Sequence, residues 1–186
     1  MRYAQIRELD ISNGEGIGVA LFVQGCRFAC KNCFNPDTWD FNGGKEWTPE
    51  TEDKLIELAS RPYIKRLSIL GGEPLADENL DGVLHLADRF RLSFPNKSIW
   101  LYSGYQWEEC QPFNEDGLLK PDKFAPNLQK ILQKRYEVIS RCNVMVDGRY
   151  IDSQRNPSKK WAGSDNQRVI NIQGSLKQGK VVLYCD

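Results

Sequence analysis

Short apolar runs that alternate with longer amphipathic stretches are the feature that most constrains the fold of this 186-residue chain. Each run leads into glycine or polar residues, which is typical of a buried strand followed by a turn or loop. The predicted strands are VALFV (19–23), RLSIL (66–70), SIWLY (98–102) and NVMV (143–146).

The stretches between these runs carry helical patterns. One predicted helix has Thr48 as its N-cap and Pro49 at its first position, and runs to about Ser60. Two more are predicted over about 78–93 and 124–139. Strands separated by helices of this length pair in parallel through right-handed crossovers, so we predict an α/β fold with helices packed outside the sheet. Such sheets place ligands at the carboxyl ends of their strands.

The chain length predicts a single domain over residues 1–186, because domains average roughly 150 residues. Two long loops are predicted, near 109–127, which holds three prolines, and near 153–166, which is polar and interrupted by glycine and proline. The tail over 168–184 carries two alternating apolar runs joined across residues 174–179. This pattern predicts a C-terminal β-hairpin.

Charge and hydropathy restrict the partners of the chain. The 25 Lys and Arg residues are balanced by 25 Asp and Glu residues, which leaves no long-range field for nucleic acid or a membrane surface. No stretch approaches the roughly 18 apolar residues of a membrane span, and the start MRYAQIRELD lacks the apolar region of a signal peptide. We therefore expect a cytoplasmic protein, in which clustered cysteines indicate metal binding or redox chemistry.

A cysteine cluster follows the first predicted strand. In QGCRFACKNCFNP, residues 24–36, the spacing C-x3-C-x2-C places Cys26, Cys30 and Cys33 on one tight loop at the end of the sheet. Three thiolates on a cubane of four irons leave the fourth iron open to the amino and carboxylate groups of a methionine moiety. The spacing therefore favours, without requiring, a 4Fe-4S cluster with one open iron. The other cysteines are predicted to be small buried hydrophobes without a role: Cys110, Cys142 and Cys185.

The spacing alone leaves three alternatives open. A structural zinc site needs a fourth ligand, and His85, the single histidine, lies far along the chain in a helical pattern. A thioredoxin-like pair of Cys30 and Cys33 leaves Cys26 unexplained and lacks the helix expected directly after it. A ferredoxin-type electron carrier normally supplies four thiolates to its cluster.

A second motif, LGGEPL at 70–75, follows the predicted strand 66–70 and so lies at the same edge of the sheet. Gly71 and Gly72 allow the backbone to approach a ligand closely, and Glu73 can accept hydrogen bonds from an ammonium group. By itself this motif is equally consistent with a plain strand-to-helix turn. Together with the cysteine spacing it is specific.

The two motifs resemble those of the radical S-adenosylmethionine superfamily, in which the cysteine loop carries the cluster and the GGE turn receives the methionine amino group. Further segments resemble, in order and over about residues 3–172, the activating proteins of anaerobic (class III) ribonucleotide reductases. These segments are SNGEGIGVALFVQGC, CFNPDTWDFNGGKEW, IWLYSGY, NVMVDGRYI and WAGSDNQRVI.

The resemblance implies a fold and an activity. The fold is an open partial (β/α) barrel of radical S-adenosylmethionine type, extended here by the C-terminal hairpin. A low-potential donor such as flavodoxin or ferredoxin reduces the cluster, and S-adenosylmethionine is cleaved to methionine and a 5′-deoxyadenosyl radical. The radical removes an α-hydrogen from a glycine of the anaerobic ribonucleotide reductase, which is the protein substrate.

The resemblance also implies site residues. Cys26, Cys30 and Cys33 are the implied cluster ligands. Many superfamily members place an aromatic residue before the third cysteine, where this chain has Asn32, so Phe34 is expected to supply the stacking. The other implied cofactor contacts are Asn32 beside the cluster, Gly71, Gly72 and Glu73 at the methionine, and Tyr102, Ser103 and Asp147 at the ribose or adenine.

The sequence leaves alternative interpretations of two segments and of the function. Residues 161–168 either form a hydrogen-bonded loop that closes the barrel or bring Arg168 to the cofactor carboxylate or the reductase. NGEGIG precedes a strand and lacks a following Lys-Ser/Thr, so we predict a turn and not a phosphate loop. The competing functions are activation of another glycyl radical enzyme, radical chemistry on a small molecule, and electron transfer without turnover.

Overall fold

The computed structural model of the protein describes residues 1–112 and 127–185, so most of the loop predicted near 109–127 lies outside the described residues. The described part contains one seven-stranded sheet and four α-helices. The strands are β1 (Arg2–Asp10), β2 (Gly18–Val23), β3 (Lys45–Glu46), β4 (Arg66–Gly71), β5 (Ser98–Tyr102), β6 (Val144–Asp147) and β7 (Arg168–Asn171). The helices are α1 (Pro49–Ser60), α2 (Asp77–Ser93), α3 (Leu128–Arg141) and α4 (Ile172–Gln178).

The sheet is open, with the strand order β3-β1-β2-β4-β5-β6-β7. Its four central strands, β2, β4, β5 and β6, are parallel and coincide with the four predicted strands. The predicted α/β class with a parallel core is therefore confirmed. β1, β3 and β7 add antiparallel edges. β1 escapes prediction because RYAQIRELD mixes charged and apolar residues without a continuous apolar run.

The predicted helices are confirmed to within a few residues. Thr48 caps α1, since its side chain accepts a hydrogen bond from the Thr51 backbone N–H at 3.3 Å, and the helix ends at Ser60 as expected. α2 and α3 match the predicted segments 78–93 and 124–139 over their described residues. No helix in the two described ranges is both long and apolar enough to cross a membrane.

The two faces of the sheet are covered differently. All four helices pack on one face and share a single apolar core with it, which we call the helix-covered face. The opposite, loop-covered face holds Trp100, which packs against Trp161 and Tyr184 from segments without regular structure. Gly14 lies close to the same ring, since a Cβ there would lie 2.7 Å from Trp100 Cδ2.

A buried ion pair lies on the loop-covered face. The Arg66 guanidinium is fully buried and contacts the Asp10 carboxylate at 2.7 Å. Ser68 Oγ accepts a hydrogen bond from Arg66 and donates one to the Asn13 carbonyl. The Asn13 side chain in turn donates to Asp10 at 2.7 Å. This network fixes the NGEGIG segment on the sheet as a turn, as predicted.

The predicted C-terminal hairpin needs a correction, because α4 replaces its turn. The Asn171 side chain accepts a hydrogen bond from the Gly174 N–H at 2.9 Å, and Gly179 ends the helix in a left-handed conformation, with φ of 67°. The chain then returns antiparallel to β7, with the Tyr184 N–H donating to the Val169 carbonyl at 2.7 Å. The antiparallel return of the chain was predicted, but the junction over 174–179 was predicted to be a turn, whereas it lies largely within α4.

Candidate functional site

The cysteine loop after β2 and the glycine turn after β4 are joined directly. Gly72 N–H donates to the Val23 carbonyl at 2.9 Å, and Glu73 N–H donates to the Gly25 carbonyl at 2.7 Å. A Cβ at Gly72 would lie 2.5 Å from the Gly25 oxygen. Glycine is required here because the two backbones touch. The sequence indicated close approach to a ligand, whereas the structure shows close approach between the two loops.

The Glu73 carboxylate is buried and accepts three intramolecular hydrogen bonds. The donors are the Leu75 N–H, the Ser103 hydroxyl and the Gly104 N–H, each at 2.8 Å. Burial raises the pKa of Glu73 to about 7, although these donors act in the opposite direction. Glu73 thus ties the end of β4 to the end of β5, and its oxygens are mostly committed within the protein.

The cysteine loop has an unusual backbone. Ala29 and Asn32 both adopt left-handed conformations, with φ of 46° and 55°, and each directly precedes a cysteine. Asn tolerates this region, whereas Ala29 is strained there. The tight turns bring Cys26, Cys30 and Cys33 to the wall of one cavity.

Each of the three sulfurs faces a backbone N–H. Burial raises the pKa of Cys26 to about 11, and burial also raises the pKa of Cys30, so both are protonated thiols in the metal-free protein. Metal binding would release these protons. The donors are Phe28 N–H to Cys26, Tyr150 N–H to Cys30, and Asn35 N–H to Cys33, the last at 3.4 Å.

This donor set suits an iron-sulfur cluster better than a zinc ion. Over residues 1–112 and 127–185, no three His, Cys, Asp or Glu side chains converge on one point as a single metal ion requires. In a cubane cluster each thiolate binds a different iron, and hydrogen bonds to the sulfurs tune the potential. His85 lies on α2, and its Nδ1 atom contacts the Glu52 carboxylate at 3.1 Å.

The cavity bordered by the cysteines has a volume of about 590 Å³. This volume falls in the range of roughly 300–1,000 Å³ typical of cofactor sites. Two residues implied by the resemblance, Asn32 and Asp147, lie outside the wall. The implied residues that do line it are Cys26, Cys30, Cys33, Phe34, Gly71, Gly72, Glu73, Tyr102 and Ser103.

Asp147 is engaged elsewhere. Its carboxylate accepts a hydrogen bond from the Trp107 N–H at 2.8 Å and pairs with Arg168 at 2.6 Å. Arg168 also contacts Glu108 at 2.7 Å, and these two carboxylates raise the pKa of its guanidinium. Arg168 therefore joins the segment that follows β5 to the end of β6, instead of presenting an uncompensated charge to a ligand.

Tyr102 presents a polar atom without a partner. Its hydroxyl oxygen is buried and makes no hydrogen bond within the described residues, yet the side chain lines the cavity. Burial raises the pKa of Tyr102, so the phenol is a hydrogen-bond donor at neutral pH. An unsatisfied buried hydroxyl is costly, which makes Tyr102 a candidate contact for a bound ligand or water.

The segment 148–152 after β6 was missed as part of the site. Most of this segment belongs to the NVMVDGRYI stretch, which contributed to the family resemblance. The resemblance suggested no role for its residues after Asp147. In the structure this segment packs along the cysteine loop and contacts Phe28, Asn32 and Phe34 of that loop. The contacts are Arg149 over the Phe28 ring at 4.4 Å, Tyr150 with Phe34 at 4.9 Å between ring centroids, and Asn32 Nδ2 to Asp152 Oδ2 at 2.8 Å.

Residues 161–168 form the hydrogen-bonded loop that the sequence offered as one alternative. Gln167 Nε2 donates to the Gly148 carbonyl at 2.9 Å, and Asn166 Nδ2 donates to the Arg149 carbonyl at 2.8 Å. Trp161 lines the cavity. The loop therefore holds the 148–152 segment in place against the cysteine loop.

The scattered cysteines are largely as predicted. Cys110 and Cys142 are fully buried, and Cys185 is half-buried beside Trp100. All six cysteines are free thiols.

The fold and the cysteine site define an iron-sulfur protein of the α/β class. In agreement, a family model described as "4Fe-4S single cluster domain" matches residues 12–170. This match supports an iron-sulfur cofactor and covers most of the chain.

Curated relatives give a more specific family. The chain is 34% identical over 175 residues to the anaerobic ribonucleoside-triphosphate reductase-activating protein of Escherichia coli K12, covering 93% of this chain and all of that protein. Proteins with the same name match from Vibrio cholerae, at 35% over 171 residues (91% and 97%), and from Enterobacteria phage T4, at 34% over 179 residues (95% and 99%). The chain belongs to the family of anaerobic ribonucleoside-triphosphate reductase-activating proteins.

Proposed function

We propose that this chain is a radical S-adenosylmethionine activase that generates a glycyl radical on an anaerobic ribonucleoside-triphosphate reductase. The observation that carries the proposal is that three cysteine thiols and the Gly71–Glu73 turn border one cavity at the carboxyl ends of adjacent parallel strands. The names of the relatives identify the reductase as their target. The four parallel strands, with helices on one face, support a partial barrel of the radical S-adenosylmethionine type.

Cys26, Cys30 and Cys33 are the proposed ligands of a 4Fe-4S cluster whose fourth iron is open to S-adenosylmethionine. When bound, the cluster supplies the electron that breaks the bond between the sulfonium sulfur and C5′, which yields methionine and the 5′-deoxyadenosyl radical that attacks the glycine. The protein holds the thiols at fixed positions through backbone N–H groups, which also compensate the negative charge of the sulfurs.

The other wall residues divide into contacts and supports. Gly71 and Gly72 border the cavity where the methionine end would bind, and the Tyr102 hydroxyl, which has no partner among the described residues, would donate to the ligand. Glu73 orients Ser103 and Gly104 through its hydrogen bonds. Phe34 supplies an apolar surface, as a 60% exposed side chain packed on Tyr150.

Asn32 and Asp147 support the site from outside the wall. Asn32 joins the cysteine loop to Asp152, and Asp147 joins Arg168 to the Trp107 backbone. We further propose a cytoplasmic location, supported by six free thiols, and reduction by a low-potential donor such as flavodoxin or ferredoxin.

The test of the enzyme is product formation. Anaerobically reconstituted protein, reduced with dithionite and given S-adenosylmethionine, should yield 5′-deoxyadenosine, and Cys30→Ala should yield none. Cys142→Ala is the matched control, because Cys142 is buried against α3 and does not line the cavity. If wild-type protein with a full complement of iron forms no 5′-deoxyadenosine, the proposed enzyme activity is rejected. The remaining hypothesis is then an electron carrier without turnover.

The test of the substrate uses the reductase itself. After incubation of the reduced, S-adenosylmethionine-loaded protein with an anaerobic ribonucleoside-triphosphate reductase, electron paramagnetic resonance should show the doublet of a glycyl radical. A reductase variant with alanine at the radical glycine is the control. Active S-adenosylmethionine cleavage without a doublet would reject this substrate in favour of another glycyl radical enzyme or a small molecule.

A further inference from the structure

Positive charge is concentrated on the two segments that border the cavity, although the whole chain is neutral. The cysteine loop (24–36) and the segment 148–163 together contain six Lys and Arg residues and one acidic residue, Asp152. The remainder of the chain therefore carries a matching excess of negative charge. Counting the adjacent Asp37 and Asp165 still leaves a surplus of three positive charges.

These six cations fall into three groups. Arg149 and Lys159 line the cavity, and Arg27 is neutralised by an ion pair with Glu78. Within residues 1–112 and 127–185, no ion pair joins the remaining three to a carboxylate. These three are exposed and lie outside the cavity wall, and we call them the outer basic patch: Lys31, Arg155 and Lys160.

Two of the three residues of the patch, Lys31 and Arg155, lie beside the contact between the cysteine loop and Asp152. Lys31 lies between Cys30 and Cys33, and its neighbour Asn32 bonds to Asp152. Arg155 closes the short 3-10 turn that begins at Asp152, since its N–H donates to the Asp152 carbonyl at 3.2 Å. Two exposed cations therefore flank the junction between the cysteine loop and the 148–163 segment.

We propose that the outer basic patch is the docking surface for an acidic, low-potential electron-transfer protein, an inference that rests on the proposed function. One electron would pass from the reduced cofactor of this donor to the cluster, so the donor is oxidised by one electron and the cluster is reduced by one. No bond is made or broken in this step.

The position of the patch favours the donor over the protein substrate. A glycine that is to lose hydrogen must enter the cavity, whereas a donor needs only to come close to the cysteine loop and must leave the cavity to S-adenosylmethionine. Lys31 and Arg155 meet this second requirement, because they lie beside the cysteine loop and do not line the cavity. Opposite charge on the donor raises the association rate and orients the encounter.

The experiment measures reduction of the cluster by photoreduced flavodoxin, followed as the loss of visible cluster absorption in a stopped-flow instrument. The test variant is Lys31→Glu/Arg155→Glu, with Lys31→Gln/Arg155→Gln as a milder form. The control is Lys54→Glu/Lys177→Glu, which changes net charge equally at exposed positions on α1 and α4. At low salt we expect the Glu variant to react about tenfold or more slowly, the Gln variant to be intermediate, and the control to stay near wild type.

Salt and a small reductant complete the design. Raising the ionic strength should slow the wild type towards the Glu variant, and reduction by dithionite at high ionic strength, where its own negative charge is screened, should be equally fast in both. Equal flavodoxin rates with equal salt dependence in the wild type and the Glu variant would overturn the proposal. So would a defect confined to dithionite-driven radical formation on the reductase, which would assign the patch to the reductase.

Two further measurements keep the outcomes separate. Iron content is determined first, and Lys160→Glu, further along the chain from the cysteines, repeats the test if the double variants lose iron. Cluster bleaching is read without S-adenosylmethionine, so failure of the wild type to form 5′-deoxyadenosine would refute the proposed function and leave the docking measurement readable.

Discussion

The helix-covered and loop-covered faces of the sheet follow different physical rules. The helix-covered face is a continuous apolar core to which all four helices contribute, so its stability derives from burial and packing. The loop-covered face buries the Arg66–Asp10 ion pair and borders the cavity with its strand ends. The comparison shows that the apolar core on one side of the sheet provides most of the stability. On the other side, charged groups are buried at a cost in stability, and this side forms the site.

The buried ion pair should give the largest effect. Asp10→Ala leaves Arg66 charged and unpaired on the loop-covered face, so we expect the free energy of unfolding to fall by about 3–5 kcal/mol in urea titrations of the cluster-free protein. Asp10→Leu combined with Arg66→Leu should recover much of this loss, since both charges are then removed. A loss below about 1 kcal/mol in Asp10→Ala would show that the two faces are less different than described.

Glu73 should make stability depend on pH. Its pKa of about 7 in the folded protein lies above the value of roughly 4.3 in the unfolded chain, so its contribution is full below pH 4 and is lost as the pH rises through 7. We expect a decrease of up to about 4 kcal/mol between pH 4 and 8 in the cluster-free protein, relative to Glu73→Gln. Parallel pH curves for the two proteins would mean that the three donors keep the carboxylate ionised.

Gly72→Ala tests the contact between the two loops. The new Cβ would lie 2.5 Å from the Gly25 carbonyl oxygen, so the cysteine loop must shift. We expect a loss of about 1–3 kcal/mol in the free energy of unfolding and a lower iron content after reconstitution. Gly179→Ala is the control, because it strains a left-handed glycine whose Cβ would have open space around it, and this variant should bind iron normally.

Asn32 separates backbone conformation from hydrogen bonding. Asn32→Gly keeps the left-handed conformation and loses the bond to Asp152, whereas Asn32→Ala loses both. We expect the alanine variant to be less stable than the glycine variant by about 1 kcal/mol in thermal unfolding of the loaded protein. Equal stability of the two variants would show that the left-handed turn at Asn32 carries no strain.

Tyr102→Phe should have the smallest effect on stability. Its buried hydroxyl has no partner in the described residues, so removal should leave the free energy of unfolding within about 1 kcal/mol of the wild-type value. If the hydroxyl donates to S-adenosylmethionine, calorimetry should show binding weakened by about 3- to 10-fold. Tyr184→Phe is the control, because that hydroxyl bonds to Glu15 and lies outside the cavity wall.

Much of the fold was predictable because it depends on local patterns. The apolar runs located β2, β4, β5 and β6, and the Thr48-Pro49 pair located the start of α1. The hairpin was mispredicted because an Asn cap and a closing glycine fit both a short helix and a turn, and packing decided between them. β1 was missed because pairing along an edge needs no apolar run.

The site was predictable only in part. The cysteines and the glycine turn could be found from the sequence because the residues of each motif lie within a few positions of one another. These residues are Cys26, Cys30, Cys33 and Gly71–Glu73. Arg149 and Tyr150 could not be found from the sequence, because their position beside the cysteine loop depends on how β6 is aligned with β2. Asp147 ends a strand as expected, but its carboxylate pairs with Arg168 and accepts a hydrogen bond from the Trp107 N–H.

The sequence by itself determined the α/β class, the cysteine spacing and the sheet edge at which the site lies, because periodicity and spacing act over a few residues. Tertiary structure decided what each site residue contacts. It set Gly72 against Gly25, engaged Glu73 with three donors, and left Tyr102 without a partner. These contacts join positions far apart in the chain, and only the packing of strands and loops fixes such distances.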